Sequence, residues 1–380
     1  MKNYIDKMKN KNIRGFCPTL KKPIISEDGL LVRFRPFMNS LNSDDLISLC
    51  DLSEKYGSGV MELTTRGSLQ IRGIKRSTFQ KIVNEILDMN IFGQEIDNNS
   101  NIIINPFWNY KDENFKIYNF LSKYNLSNLP GKFGFVIDLG NRSCLKNIPG
   151  DIRFENSDNN KILVRADGSD SGKALNINEV KSFVSNLIKW FVNNKKENIN
   201  RMSELLRMKK LPQEWCESKS ISKSYNILPG NCDMGQIFGI KLGRFLAKNL
   251  KNLLLRSLSP KVRFTPLKMF LLEQVKNLYD KNFICTTNDP FLNLSACSGK
   301  NYCSSSLIDT YKLANKIKEK TKLKVHISGC EKNCGVTKDT QILLSGRRDF
   351  VKFQDFRSQD NVTANKRYND FSKRFFNDIE

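Results

Sequence analysis

The feature that most constrains this chain is an echo between its two halves. GLLVRFRPF at 29–37 alternates as a strand does, Ser43 to Lys55 reads as a helix, and ELTTRGSLQIRGI at 62–74 alternates again. The same order returns as GQIFGIKLGRF at 235–245, a helix from Leu246 to Leu258, and RFTPLKMFLLEQV at 263–275. Laid ungapped over one another, the last segments pair Leu63 with Phe264, Thr64 with Thr265, Leu69 with Phe270 and Ile71 with Leu272. Few residues are identical, but the hydrophobic pattern repeats, so an α+β fold built by duplication is expected.

A longer α/β segment follows each copy. The first runs from about Gln80 to Ser224, with strand-like NIIINP (101–106), GFVIDLG (134–140) and KILVRAD (161–167) and a helix from Asn178 to Asn193. The second runs from Asn288 onward, with a helix from Leu307 to Lys320, strand-like LKVHIS (323–328) and a basic, aromatic tail after Asn361. FVNNKKENIN (191–200) reads as a loop, and SKSYNILPGN (222–231) as the junction between halves. The expected division is therefore 1–79, 80–225, 226–287 and 288–380, two half-domains alternating with two α/β lobes.

The copies differ in charge. In the first copy Arg66, Ser68, Gln70 and Arg72 are expected on one face of the strand, because side chains alternate with period two, and Arg33 and Arg35 likewise share a face in 29–37. The second copy has Leu267 and Leu271 in place of Arg66 and Gln70. One half then presents a cationic wall while its twin looks structural.

Four cysteines stand out, Cys297 and Cys303 in ACSGKNYC and Cys330 and Cys334 in HISGCEKNCG. C-x5-C followed at a distance by C-x3-C suits a [4Fe–4S] cluster, whose thiolates come from loops with backbone N–H groups close to the sulfurs. Gly299, Gly329 and Gly335 stand where such an approach needs them. Zinc, for which C-x5-C is unusual, and chance placement are the alternatives. Cys50, Cys144, Cys216, Cys232 and Cys285 read as ordinary buried thiols. Cys17, in RGFCPTL beside basic residues, is either reactive or inert.

The chain has one histidine, His326, which removes two-His iron sites, Cys2His2 zinc and HExxH proteases as sites built from this chain. His326 itself reads as a core or cluster-bracing residue or as an iron ligand. The ten cysteines, with no apolar run in the basic N-terminal segment, suggest reduced thiols and a cytoplasmic protein. No run reaches the length of a membrane span. With 62 Lys and Arg against 39 Asp and Glu the net charge is +23, which either suits an acidic partner or reflects solvated lysines. Nucleic-acid binding rests on that charge alone, since no helix-turn-helix, zinc-finger or RNP motif accompanies it. No GxGxxG follows a strand, so a Rossmann nicotinamide site is not expected.

TTRGSLQIRG, ACSGKNYC and HISGCEKNCG together resemble the nitrite/sulfite reductase superfamily over nearly the whole chain. RGFCPTL, DGLLVRFRP and LPGKFGFVIDLG are most similar, within it, to the precorrin-3B synthase family. In sulfite reductases the matching segment is LPRKFK. Here Lys132 remains, but Gly131 and Gly134 replace the arginine and second lysine, which forfeits charge-assisted contacts of roughly 1.5 to 3 kcal/mol each to a small dianion. Ser100 stands where the superfamily often has an arginine.

The resemblance implies two ferredoxin-like half-domains pairing, with two α/β lobes around a central cofactor and substrate cavity. It also implies a monooxygenase of aerobic cobalamin biosynthesis that hydroxylates precorrin-3A at C20 with O2 and closes a γ-lactone. Reducing equivalents from NADH would arrive through a separate reductase or ferredoxin. The implied cofactors are a [4Fe–4S] cluster on Cys297, Cys303, Cys330 and Cys334 and a mononuclear non-haem iron. In the alternative, a nitrite or sulfite reductase, Cys334 would bridge to sirohaem. A substrate with about eight carboxylates on a flat ring calls for arginines and apolar walls. The candidates are Arg33, Arg35, Arg66, Arg72, Lys132, Arg153 and Arg165, with Arg66 and Lys132 as the catalytic candidates.

Overall fold

The computed structural model describes residues 18–89, 91–92, 101–124, 128–221, 223–337, 339–348, 350–357 and 363–366. Cys17, Ser100 and most of the basic tail lie outside them. The first half contains β1 (Ile24–Ser26), β2 (Gly29–Phe34), β3 (Ser40–Asn42), α1 (Ser43–Tyr56), β4 (Val60–Leu63), β5 (Leu69–Ile74) and α2 (Phe79–Asp88). The first lobe follows with β6 (Asn101–Ile104), α3 (Glu113–Ser122), β7 (Gly134–Asp138), β8 (Ile152–Asn156), β9 (Ile162–Ala166), β10 (Lys173–Leu175), α4 (Ile177–Asn194) and α5 (Met202–Leu206).

The second half repeats the plan with β11 (Gly230–Cys232), β12 (Gly235–Gly239), β13 (Arg244–Leu246), α6 (Ala247–Ser257), β14 (Lys261–Phe264) and β15 (Met269–Glu273). The second lobe holds β16 (Leu294–Ala296), α7 (Thr310–Ile317), β17 (Val325–Ser328), β18 (Ile342–Gly346), β19 (Val351–Asp355) and β20 (Thr363–Lys366).

The two halves exchange a strand. The first sheet runs β1-β2-β5-β4-β13 and the second β11-β12-β15-β14-β3, so each half lends its short third strand to the other. Phe245 of β13 pairs with Met61 of β4, and Leu41 of β3 with Val262 of β14. Helices α1 and α6 place apolar residues at helical spacing, Leu46, Leu49 and Cys50 on one and Leu250, Leu253 and Leu254 on the other. These join Ile71, Phe238 and Phe270 in a single core spanning both halves. Phe238 and Phe270 stack at 5.5 Å, and burying each ring contributes about 2 to 3 kcal/mol.

ELTTRGSLQIRGI is a hairpin and not the single strand expected. β4 stops at Leu63 and β5 starts at Leu69. Thr64 N–H donates to the Ser68 carbonyl at 2.9 Å, its Oγ1 accepts from the Arg66 and Ser68 amides, and Gly67 takes φ +69°. Arg66 and Ser68 therefore lie in a turn, and only Gln70 and Arg72 share the strand face. The second copy turns the same way. Thr265 N–H donates to Met269 at 2.9 Å, Thr265 Oγ1 accepts from Leu267 and Met269, and Lys268 takes φ +57°.

The lobes also share one topology. β6, β7 and β8 run parallel with β9 and β10 antiparallel beyond them, and β16, β17 and β18 run parallel with β19 and β20 antiparallel beyond. The loops leaving β16 and β17 in the second lobe carry the four cysteines. The helix expected from Leu307 begins at Thr310, because the Asp309 carboxylate caps it by accepting from Lys312 N–H at 3.0 Å. Among the described residues no helix is long and apolar enough to cross a membrane.

Candidate functional site

Parallel pairing of β16 with β17 brings the two cysteine loops together at one sheet end. Cys297 extends that ladder, its N–H donating to Ile327 at 3.0 Å, and its sulfur accepts from Gly329 N–H at 3.0 Å. Gly329 packs so tightly that a Cβ there would stand 1.9 Å from Ser306 Oγ. Leu307 N–H reaches the Gly329 carbonyl at 2.8 Å, Ser306 N–H reaches Cys303 at 2.9 Å, and Thr310 Oγ1 holds the Cys297 carbonyl at 2.8 Å. Burial pushes the Cys297 thiol up, the Gly329 and Gly299 amides pull it down, and Cys303 and Cys330 push it up again. Two glycine amides and three thiols thus meet here, while Cys334 is the exposed member.

All four are free thiols, with no disulfide among them. No three His, Cys, Asp or Glu side chains among the described residues converge as the ligands of a single metal ion. Thiolates at the corners of a cube stand farther apart than ligands of one ion. Four free thiols on two adjoining loops, with the Gly329 amide donating to the Cys297 sulfur, are a donor set whose chemistry fits a [4Fe–4S] cluster. Among the described residues a mononuclear iron finds no set of three such protein ligands.

His326 lies in β17 and is 1% exposed. Its Nε2 is 3.0 Å from the Cys334 carbonyl, an acceptor only, so Nε2 carries the proton. Nδ1 then accepts from Ser295 Oγ at 2.8 Å. Burial, with Lys268 nearby, pulls its pKa down to about 4, against the Cys334 hydrogen bond. Both ring nitrogens are engaged, and the ring braces the Cys334 loop instead of offering itself to iron.

The C-x5-C loop docks on the first half through charge. Arg72, 2% exposed, donates to both Asp28 oxygens at 3.1 Å, to Glu62 at 3.2 Å, to Ser26 Oγ at 2.7 Å and to the Tyr302 carbonyl at 3.1 Å. Arg244, from the exchanged β13, donates to Glu62 at 2.6 and 2.8 Å and to the Ser298 carbonyl at 3.2 Å. Lys268 lies beside them. Burial pulls its amine below the ordinary lysine range, Glu62 and Cys297 hold it up, and Arg244 pulls it down.

The predicted arginines do not form one wall. Arg72 is neutralised by Asp28 and Glu62. Arg153, 1% exposed, is held by Glu155 at 2.8 Å and by the Ile148 and Leu145 carbonyls. Arg165 makes two bonds to the same Glu155, at 2.9 and 2.7 Å. These three bind the fold together.

Arg33 pairs in register with Gln70, whose amide oxygen, turned toward it, accepts at 2.8 and 2.7 Å. Arg35 donates to Ile102 at the start of β6. Lys132 is exposed on a loop whose Gly131 carbonyl is tied to the same strand by Asn101 at 2.9 Å. Arg66 is half-buried in the turn. Of the other described cysteines Cys50 alone is fully buried, its thiol pushed up to about 12 by burial, while Cys144, Cys216, Cys232 and Cys285 are half-buried.

Sequence reasoning passed over Arg244, Lys268, Tyr302, Asp28 and Glu62. The one available signal was the alignment of the halves, which sets Lys268 on Gly67.

Residues 24–89 match the nitrite/sulfite reductase ferredoxin-like half domain. The structure of the Mycobacterium tuberculosis NirA protein superposes with a TM-score of 0.63, at 15% identity, over 89% of this chain and 78% of that one. This is the nitrite/sulfite reductase fold. A precorrin-3B synthase of Sinorhizobium sp is 26% identical over 378 residues, covering 88% of this chain and 81% of the relative. The nitrite/sulfite reductase architecture, duplicated through half-domains and lobes alike, is thus joined to a likeness to precorrin-3B synthase that runs along most of the chain.

Proposed function

We propose that the chain is an oxidoreductase of the precorrin-3B synthase type, acting in aerobic cobalamin biosynthesis. It hydroxylates precorrin-3A at C20 with O2 and closes a γ-lactone with the ring A acetate, the second oxygen atom leaving as water. The likeness to precorrin-3B synthase along most of the chain carries this reading. The loss of two cations in LPGKFGF supports it against reduction of a small oxyanion.

Cys297, Cys303, Cys330 and Cys334 would hold a [4Fe–4S] cluster, which supplies single electrons when bound. The two electrons per turnover come from NADH through a separate reductase or ferredoxin, a partner whose acidic surface the +23 charge would steer. Half-buried Arg66 and exposed Lys132 are the side chains we assign to substrate carboxylates, together with Arg33 and Arg35. Free thiols at the cluster loops suit a reducing compartment, the cytoplasm.

The test is anaerobic purification, iron and sulfide analysis, and incubation with precorrin-3A, O2 and a reducing system, with product mass read by chromatography and mass spectrometry. Gain of one oxygen atom, lost when Cys303 is replaced by Ser, is the expected result. An extractable sirohaem spectrum with nitrite or sulfite turnover, and no oxygenated tetrapyrrole, would replace this reading with the reductase one.

A further inference from the structure

The two copies of the hairpin turn differ at a pair of facing positions. In the first copy the turn residue is Gly67, and a Cβ there would come within 2.7 Å of the Asn39 amide. In the second copy the turn residue is Lys268, and the residue facing it is Gly243, where a Cβ would lie 2.9 Å from Lys268 Cδ and 3.1 Å from Cε. The bulky partner has changed sides. A lysine stem occupies the second turn because Gly243 has made room for it, and Lys268 accepts a left-handed backbone to sit there.

The amine is then fixed under the cysteine loops. Lys268 Nζ donates to the Leu242 carbonyl at 3.3 Å, and the Tyr311 hydroxyl reaches that same carbonyl at 3.4 Å. Tyr311 follows Thr310, which holds the Cys297 carbonyl at 2.8 Å. Glu62 is a carboxylate that favours the amine's charged form, and the amine lies within electrostatic reach of Cys297 and of His326, which braces Cys334.

We propose that Lys268 is a tuning cation, placed by Gly243 beneath the C-x5-C loop to make the group held by the four cysteines easier to reduce. This rests on the reading that those cysteines hold a [4Fe–4S] cluster. Reduction adds one negative charge without making or breaking a bond, and a nearby fixed cation in a poorly solvated site stabilises the reduced form.

The experiment is a reductive titration with dithionite of the anaerobically purified full chain, followed by EPR, for the wild type, Lys268→Met and Lys268→Arg. Lys268→Met is expected to lower the one-electron reduction constant about tenfold, a shift of 59 mV to more negative potential, while Lys268→Arg stays with the wild type. An unmoved midpoint in Lys268→Met, with the cluster intact, overturns the proposal. Lys268→Gln keeps the stem against Gly243 and carries the same test if the Met variant does not fold. Loss of the cluster in both neutral variants with retention in Lys268→Arg supports a required cation, whereas loss in Lys268→Arg as well overturns it. A wild type without cluster iron overturns the cysteine reading itself, and this inference with it.

Discussion

The guanidinium of Arg244 lies 3.8 Å from the ring centroid of Tyr302. Arg72 approaches the same ring to 4.8 Å, so the tyrosine between Cys297 and Cys303 is gripped by arginines from both halves of the duplication. Two partly desolvated cation–π contacts of about 1 kcal/mol each make the ring, and not its hydroxyl, the anchor. Tyr302→Ala should lower stability by about 2 to 3 kcal/mol, and Tyr302→Phe by less than about 0.5, in chemical denaturation. Equal losses in the two variants would contradict this.

Arg153 was a ligand-binding candidate by charge, yet its guanidinium is closed off by Glu155 and two carbonyls. Arg153→Met should cost about 3 kcal/mol of stability, since it strands buried acceptors. KM for a carboxylate-bearing substrate should stay unchanged in the folded fraction. A raised KM at full stability would return Arg153 to the binding site.

Gly329 admits no side chain while Ser306 is present. Gly329→Ala is expected to destabilise by about 2 kcal/mol through overpacking. Because Ser306 Cβ also stands only 2.7 Å from the new atom, Ser306→Gly and not Ser306→Ala should recover part of the loss. Thermal melts of the two double variants decide it.

Asp151 is fully buried, accepting from the Gly134 and Met202 amides and from Arg201. Burial outweighs Arg201 and raises its pKa to about 6. A carboxyl whose folded pKa lies above its unfolded value favours folding most below about pH 4 and loses that contribution as pH rises through 6. Relative to Asp151→Asn, the wild type should therefore gain on the order of 3 kcal/mol between pH 7 and pH 4, read as the difference between paired denaturation curves. A difference that stays flat across that window would refute the raised pKa.

The duplication was legible because hydrophobic alternation is a local signal, and the aligned threonines 64 and 265 prove to open identical turns. The exchange of β3 and β13 was not, since nothing local says which sheet a three-residue strand will join. Charge misled in a particular way. Arg72 and Arg153 are visible in sequence as cations, but Asp28 and Glu62 become neighbours of Arg72 only after strands pair, whereas Glu155, two residues from Arg153 on the same face of β8, was within reach of the sequence. One ion pair even reverses between copies, Glu62 with Arg72 in the first and Arg263 with Glu273 in the second, so the aligned positions carry opposite signs. The cap at Asp309 could have been read from sequence and would have moved the helix start from Leu307 to Thr310.

The traded strands have a further meaning for how this molecule can come apart. Each sheet is completed only by a piece of chain belonging to the other, so neither can open without leaving a bare, sticky border on both. The pair is obliged to melt in a single step, and a ribosome that has made only the first half has made something that must wait for the rest.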